Sequence, residues 1–193
     1  MHIHQSVVEQ GSGQNIFSAA DGQATPAFYQ FIAGQQAAMA DFTLLFAPHV
    51  NSYQRLCHPY ASPNNACWSE DNRAAGLRIP ASAPVARRVE NRLPGADANP
   101  YLALAASLAA GLYGMEQRLQ PSAPIQGEFE VPDELALPCT MHAAIERLKR
   151  SDLALELFGK EFIEGYIASK TMELTSFFDE ITPWERRVLA AHA

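Results

Sequence analysis

One stretch constrains this chain more than any other: "ARRVENRLPGADANPYLALAASLAAGLYGM", residues 86–115. Its first half alternates. At the strand period of two, Arg88, Glu90 and Arg92 point to one face, and Arg87, Val89, Asn91 and Leu93 to the other. Its second half reads as helix. Asn99 can cap it, Pro100 suits the first helical position, and Pro121 stops it. The run 101–115 is the most apolar of the chain, yet shorter than the roughly 20 residues of a membrane span and rich in Ala and Gly. It reads as a buried helix. A charged strand followed at once by a buried helix predicts an α+β fold, with a few antiparallel strands backed by helices.

The remaining segments fit that expectation. Residues 7–26 carry Gly and polar turn signals and read as a strand exit and loop. Residues 26–46 read as a helix with Pro in its first turn. Residues 51–68 hold several turn formers and read as a long loop. Residues 74–80 and 85–93 read as two strands joined by "ASAP". The helix after Asn99 spans about 98–119. The last third is helical: Ser151 caps a short helix that Gly159 ends, a second runs from about Lys160 to Phe178, and "TPWE" (182–185) is a capping box.

Composition narrows the function classes. At 193 residues with 48% hydrophobic side chains the chain is one domain with ample core. A net charge of −7 argues against broad nucleic-acid binding. Three cysteines without CxxC spacing argue against a disulfide framework and for a reducing cytoplasm. No secretory leader and no membrane span is expected.

Against that acidic background, residues 73–92 hold five arginines (73, 78, 87, 88, 92), no lysine and one acid, Glu90. Arginine forks match phosphate and carboxylate oxygens. A glutamate among them is neutralised unless it has another task, such as holding a divalent metal that bridges phosphates. The opening "MHIHQS" adds His2 and His4 on one strand face, with Ser6 following. Histidine with glutamate is a sensible ligand set for Mg²⁺ or Mn²⁺ beside phosphate. The bland alternatives are a solvated face of cross-strand ion pairs and a structural histidine pair.

Taken together, "MHIHQS", "APHVNSYQRL", "DNRAAGLRIP" and "ARRVENRLPGADANPYLALAASLAAGL", with "LALPCTMHAAIERL" and "ITPWERRVL" near the end, resemble the C-terminal half of the glutamine synthetase catalytic domain. The resemblance covers nearly the whole chain. It implies a ligase that phosphorylates the γ-carboxylate of glutamate with ATP and then joins it to an amine. It implies His2 and Glu90 as metal ligands, Arg73 and Arg78 on the transferring phosphoryl group, Arg55 and Arg92 on glutamate, and Ser6, His4 and Arg88 near the nucleotide. Phosphoryl transfer needs positioning and charge neutralisation, which arginines and a metal supply. It further implies that residues 1–193 are a truncated catalytic-domain fragment, lacking the N-terminal β-grasp domain and the first catalytic strands, inactive by itself. The parent is expected to be a homo-oligomeric ring of the dodecamer type.

Two departures from the family pattern bear on the substrate. Where ammonia-using members have a glutamate after "NSYKRL", this chain has "CHPYASP", with Ala61 in its place. The tyrosine that bacterial enzymes adenylylate is missing from "FEVPDELALP". Both favour relatives that use an organic amine such as putrescine, as γ-glutamylputrescine synthetase does. The alternatives are a true glutamine synthetase, with Glu70 or Asp71 supplying the acid, and a non-catalytic nucleotide-binding fragment. A metal-dependent hydrolase built on the HxH would need further ligands, and His49, His58, His142 and His192 fall in loops or helices.

Overall fold

The computed structural model describes residues 1–57 and 62–189. Its centre is a four-stranded sheet in the order β1-β4-β3-β2, formed by β1 (Ile3–Gln5), β2 (Trp68–Glu70), β3 (Leu77–Ile79) and β4 (Val89–Asn91). The mixed α+β architecture matches expectation, with one difference. β1 and β3 run antiparallel to β4, but β2 runs parallel to β3. Trp68–Glu70 lies at the end of what reads as loop, and three residues are too few to show a period.

Two helices back the sheet. α1 (Pro26–Met39) is capped by Thr25, whose side chain accepts from the Phe28 amide. α4 (Pro100–Glu116) is capped by Asn99, which accepts from the amides of Tyr101 and Leu102. The two pack at backbone contact: a Cβ on Gly34 would lie 2.0 Å from the Ala110 carbonyl oxygen, and one on Gly111 2.2 Å from the Phe31 ring. Only glycine allows this approach. The expected continuous helix over 26–46 is broken. α1 ends at Met39, and α2 (Thr43–Phe46) begins after a turn that seats Phe42 against Phe158, centroids 5.3 Å apart. The 51–68 loop also contains a helix, α3 (Ser52–Cys57). Finally, α4 is buried on one face only. Its small residues Ala103, Ala106, Ala110 and Gly114 face inward, while Tyr101, Leu104, Leu108 and Leu112 are exposed.

The last third holds α5 (Met141–Lys149), α6 (Asp152–Phe158), α7 (Lys160–Asp179) and α8 (Pro183–Leu189). Ser151 caps α6, and Gly159 takes φ +79 between α6 and α7. The capping box is formed: the Thr182 amide donates to Glu185 Oε2 at 2.7 Å, and the Glu185 amide to Thr182 Oγ1 at 3.1 Å. Among the described residues no helix is long and apolar enough to cross a membrane.

Candidate active site on the outer face of the sheet

The strand register determines what can meet. His4 lies opposite Glu90, Glu90 opposite Arg78, and Arg78 opposite Ser69, a row across all four strands. Directly opposed residues point to the same face. The adjacent row, Ile3, Asn91, Leu77 and Trp68, is buried in the core. Sequence parity therefore places Glu90 and its neighbours on the outer face.

Glu90 is the hub. Its side chain is 3% exposed. Oε2 accepts from Arg78 Nη1 at 2.6 Å, and Oε1 from Arg92 Nη1 at 3.1 Å. His2 Nδ1 lies 2.9 Å from Oε1, and His4 Nε2 lies 3.9 Å from it, beyond hydrogen-bond range. Burial pushes the Glu90 carboxyl up, but the Arg78 hydrogen bond and the Arg92 charge overcome it and hold the pKa below the ordinary carboxylate value. The pKa of His2 is lowered, by burial first and then by Arg92, with Glu90 opposing. The lowered pKa keeps the His2 imidazole neutral at neutral pH, so that one of its ring nitrogens has a free lone pair.

The arginines are held from outside as well. Arg78 Nη2 also donates to Asp71, which sits in the left-handed region at φ +50. Arg88 Nε donates to His4 Nδ1 at 3.3 Å. The Nε atoms of Arg78 and Arg92 are buried and find no partner among the described residues, so each guanidinium keeps an unused donor there.

Of the nine residues singled out in the sequence, six converge: His2, His4, Glu90, Arg78, Arg92 and, through His4, Arg88. Arg55 lies in an adjoining network, donating to Ser62 Oγ at 2.7 Å and to the carbonyl of Leu93, next to Arg92, at 2.9 Å. Asp97 is part of that network. It accepts from Ser52 Oγ, and its Oδ1 lies 1.9 Å from where a Cβ at Gly95 would stand, so glycine there makes room for it. Arg73 and Ser6 are exposed and make no side-chain hydrogen bond among the described residues. Ala61 lies outside the described residues. The structure adds a task for Asp71, named above only as a possible acid for ammonium: it holds Arg78. It also assigns Arg87 a structural task. Arg87 donates to the Phe17 carbonyl, Ser18 Oγ and the Gly22 carbonyl, and pins the loop before α1.

The donor set suits a divalent cation. Two neighbouring ligands of an octahedral ion stand about 3 Å apart when each lies about 2.1 Å from the metal. His2 Nδ1 and Glu90 Oε1, 2.9 Å apart, match that spacing. No group of three or more His, Cys, Asp or Glu among the described residues is arranged to hold a metal. These residues therefore fit part of a coordination shell whose other positions fall to water, phosphate or further side chains.

The sequence model of the family described as "Glutamine synthetase, catalytic domain" matches residues 1–189. A gamma-glutamylethanolamide synthetase of Streptomyces coelicolor is 39% identical over 186 residues, 96% of this chain and 40% of that protein. A glutamate–isopropylamine ligase of a Pseudomonas species is 36% identical over 189 residues, 95% of this chain and 41% of that protein. A solved structure titled "Apo GmaS without ligand" superimposes with a TM-score of 0.82 at 31% identity, covering 97% of this chain and 44% of its own. The chain thus spans about 40% of the length of the curated relatives it matches.

Proposed function

Since the chain belongs to the glutamine synthetase family, we propose that its outer sheet face is part of the site of an ATP-dependent glutamate–amine ligase. The observation that carries this reading is the Glu90 carboxylate, held ionised by Arg78 and Arg92 beside a neutral His2. An ion pair kept for stability needs one arginine. Two arginines with unused donors, a carboxylate and two imidazoles form a receptor for a metal and its phosphates.

On this reading His2 and Glu90 hold Mg²⁺ or Mn²⁺, which when bound neutralises phosphate charge. Arg78 and Arg73 steady the transferring phosphoryl group. Arg92 and Arg55 grip the glutamate carboxylates, and Ser6, His4 and Arg88 face the nucleotide. The γ-carboxylate oxygen attacks the terminal phosphorus of ATP, giving γ-glutamyl phosphate and ADP. The amine nitrogen then attacks the acyl carbon and expels phosphate. Asp71 and Glu90 hold the Arg78 fork from both sides, so its orientation is set before substrate arrives.

We take the 193 residues as the C-terminal portion of such a catalytic domain, and a homo-oligomeric ring as the parent. Robust ATP-dependent amide formation by this chain alone would contradict that. We also take an organic amine, rather than ammonia, as the second substrate. Support comes from the sequence, which has Ala61 where ammonia-using members have a glutamate, and from the two relatives above, which are named for an ethanolamide and for isopropylamine. The rival reading, a true glutamine synthetase, needs an acid for ammonium. Asp71 is committed to Arg78, which leaves Glu70. In the assembled ligase, kcat/KM for ethanolamine, isopropylamine or putrescine should exceed that for ammonium at fixed glutamate and ATP. A clear win for ammonium overturns the organic-amine assignment.

A further inference from the structure

Cys57 and Cys139 are 82 residues apart in sequence and adjacent in space. The Cys57 thiol donates to the Cys139 carbonyl oxygen at 3.0 Å, and the Cys139 thiol lies 3.7 Å from the Leu137 carbonyl oxygen. Both residues are exposed, whereas the third cysteine, Cys67, is buried. Together they line one wall of a 360 Å³ cleft with Tyr53, Met141 and His142. Each sits at the end of a structural element. Cys57 is the last residue of α3, and Cys139 precedes Thr140, the cap of α5. Neither thiol contacts the Glu90 cluster, and the ligase reading uses neither.

We propose that Cys57 and Cys139 are a dithiol oxidation site that closes to an intramolecular disulfide. With glutathione disulfide as oxidant, one thiolate attacks a glutathione sulfur and expels glutathione thiolate, leaving a mixed disulfide. The second thiolate attacks the protein sulfur of that bond and expels the other glutathione. Two protein thiols lose two protons and two electrons, and glutathione disulfide is reduced to two glutathiones. Burial and the neighbouring Cys139 raise the Cys57 thiol pKa, so the thiolate is scarce at neutral pH and the closure quickens as pH rises. The bond would tie the end of α3, where the 58–61 segment begins, to the start of α5. Its effect on amine use rests on the reading proposed above, but the cross-link itself does not.

The test is equilibration of the 193-residue chain with glutathione disulfide, followed by thiol counting and peptide mapping under non-reducing conditions. The expected result is loss of two reactive thiols, a mass lower by about 2 Da and a single cross-linked peptide joining residues 57 and 139, reversed by dithiothreitol. Cys57→Ser and Cys139→Ser should each give a stable glutathione adduct on the remaining partner instead. A stable adduct on the unaltered chain, a link to Cys67, a disulfide between chains, or two thiols still free at equilibrium would overturn the proposal.

Discussion

On the inner face of the sheet Trp68, Leu77, Asn91 and Ile3 form a row beneath α1 and α4; one residue further along each strand, Ser69, Arg78, Glu90 and His4 form the row on the outer face. The inner row is apolar apart from Asn91, which donates to Ser107 Oγ of α4 at 3.3 Å. It is covered by helices whose glycines admit backbone contact. The outer row concentrates charge around one nearly buried carboxylate. The first arrangement maximises contact, and contact is what stabilises a small sheet. The second takes charges out of water for little net gain in stability, because desolvation offsets their attraction. Two faces of the same strands thus answer to different demands, and substitutions should separate them.

The largest effect should come from the inner side. Gly34→Ala puts a methyl group 2.0 Å from the Ala110 carbonyl oxygen and 2.6 Å from the Gly114 amide nitrogen, both backbone atoms. The expected cost is about 3 kcal/mol or more, read by chemical denaturation. A change below 0.5 kcal/mol would mean α1 and α4 do not pack as described.

Glu90→Gln should cost less, about 1–3 kcal/mol, while abolishing metal-dependent nucleotide binding. It should also remove part of the acid sensitivity. The folded pKa of Glu90 lies below its unfolded value, so its stabilisation is present above the usual carboxylate range and is lost as pH falls through the depressed value. The stability of the Gln variant should fall less steeply there. An unchanged slope would place the acid sensitivity elsewhere.

Asn99→Ala removes the cap of α4 and should cost about 1 kcal/mol with nucleotide binding intact. Loss of binding in that variant would mean that the inner and outer faces are not independent.

His2→Gln should change stability at neutral pH by no more than about 0.5 kcal/mol, since its side chain is 43% exposed. Its effect appears on acidification. The pKa of His2 is lowered in the folded state, so stability is lost as pH drops below the ordinary imidazole value towards the folded one. The variant should lack that upper step. Retention of the step would assign it to another group.

Much of this division was legible in the sequence. Parity alone set Arg88, Glu90 and Arg92 against Val89 and Asn91, because a one-residue slip would expose the core. The caps Thr182, Ser151 and Asn99 were legible because each satisfies amides within a few residues of itself. What escaped depends on distant partners. The helix over 26–46 breaks because Phe42 finds Phe158 and Asp41 finds Arg147 at 3.0 Å. The parallel β2–β3 pair has no local signature. Arg87 looked like part of the charged cluster until the loop at Phe17–Gly22 gave it three acceptors. Asp71 was weighed only as a source of acid, because its bond to Arg78 depends on a turn with a left-handed residue.

On the ligase reading, the outer face binds a divalent cation with nucleotide phosphates at His2 and Glu90. That binding is tested most directly by NMR of the histidine imidazole protons during titration with substoichiometric Mn²⁺ in the presence of ATP. The His2 and His4 resonances should broaden first, with His49 and His142 little affected, and Glu90→Gln should remove the selectivity. Equal broadening of all four, no broadening, or the same pattern in the Gln variant would contradict that reading.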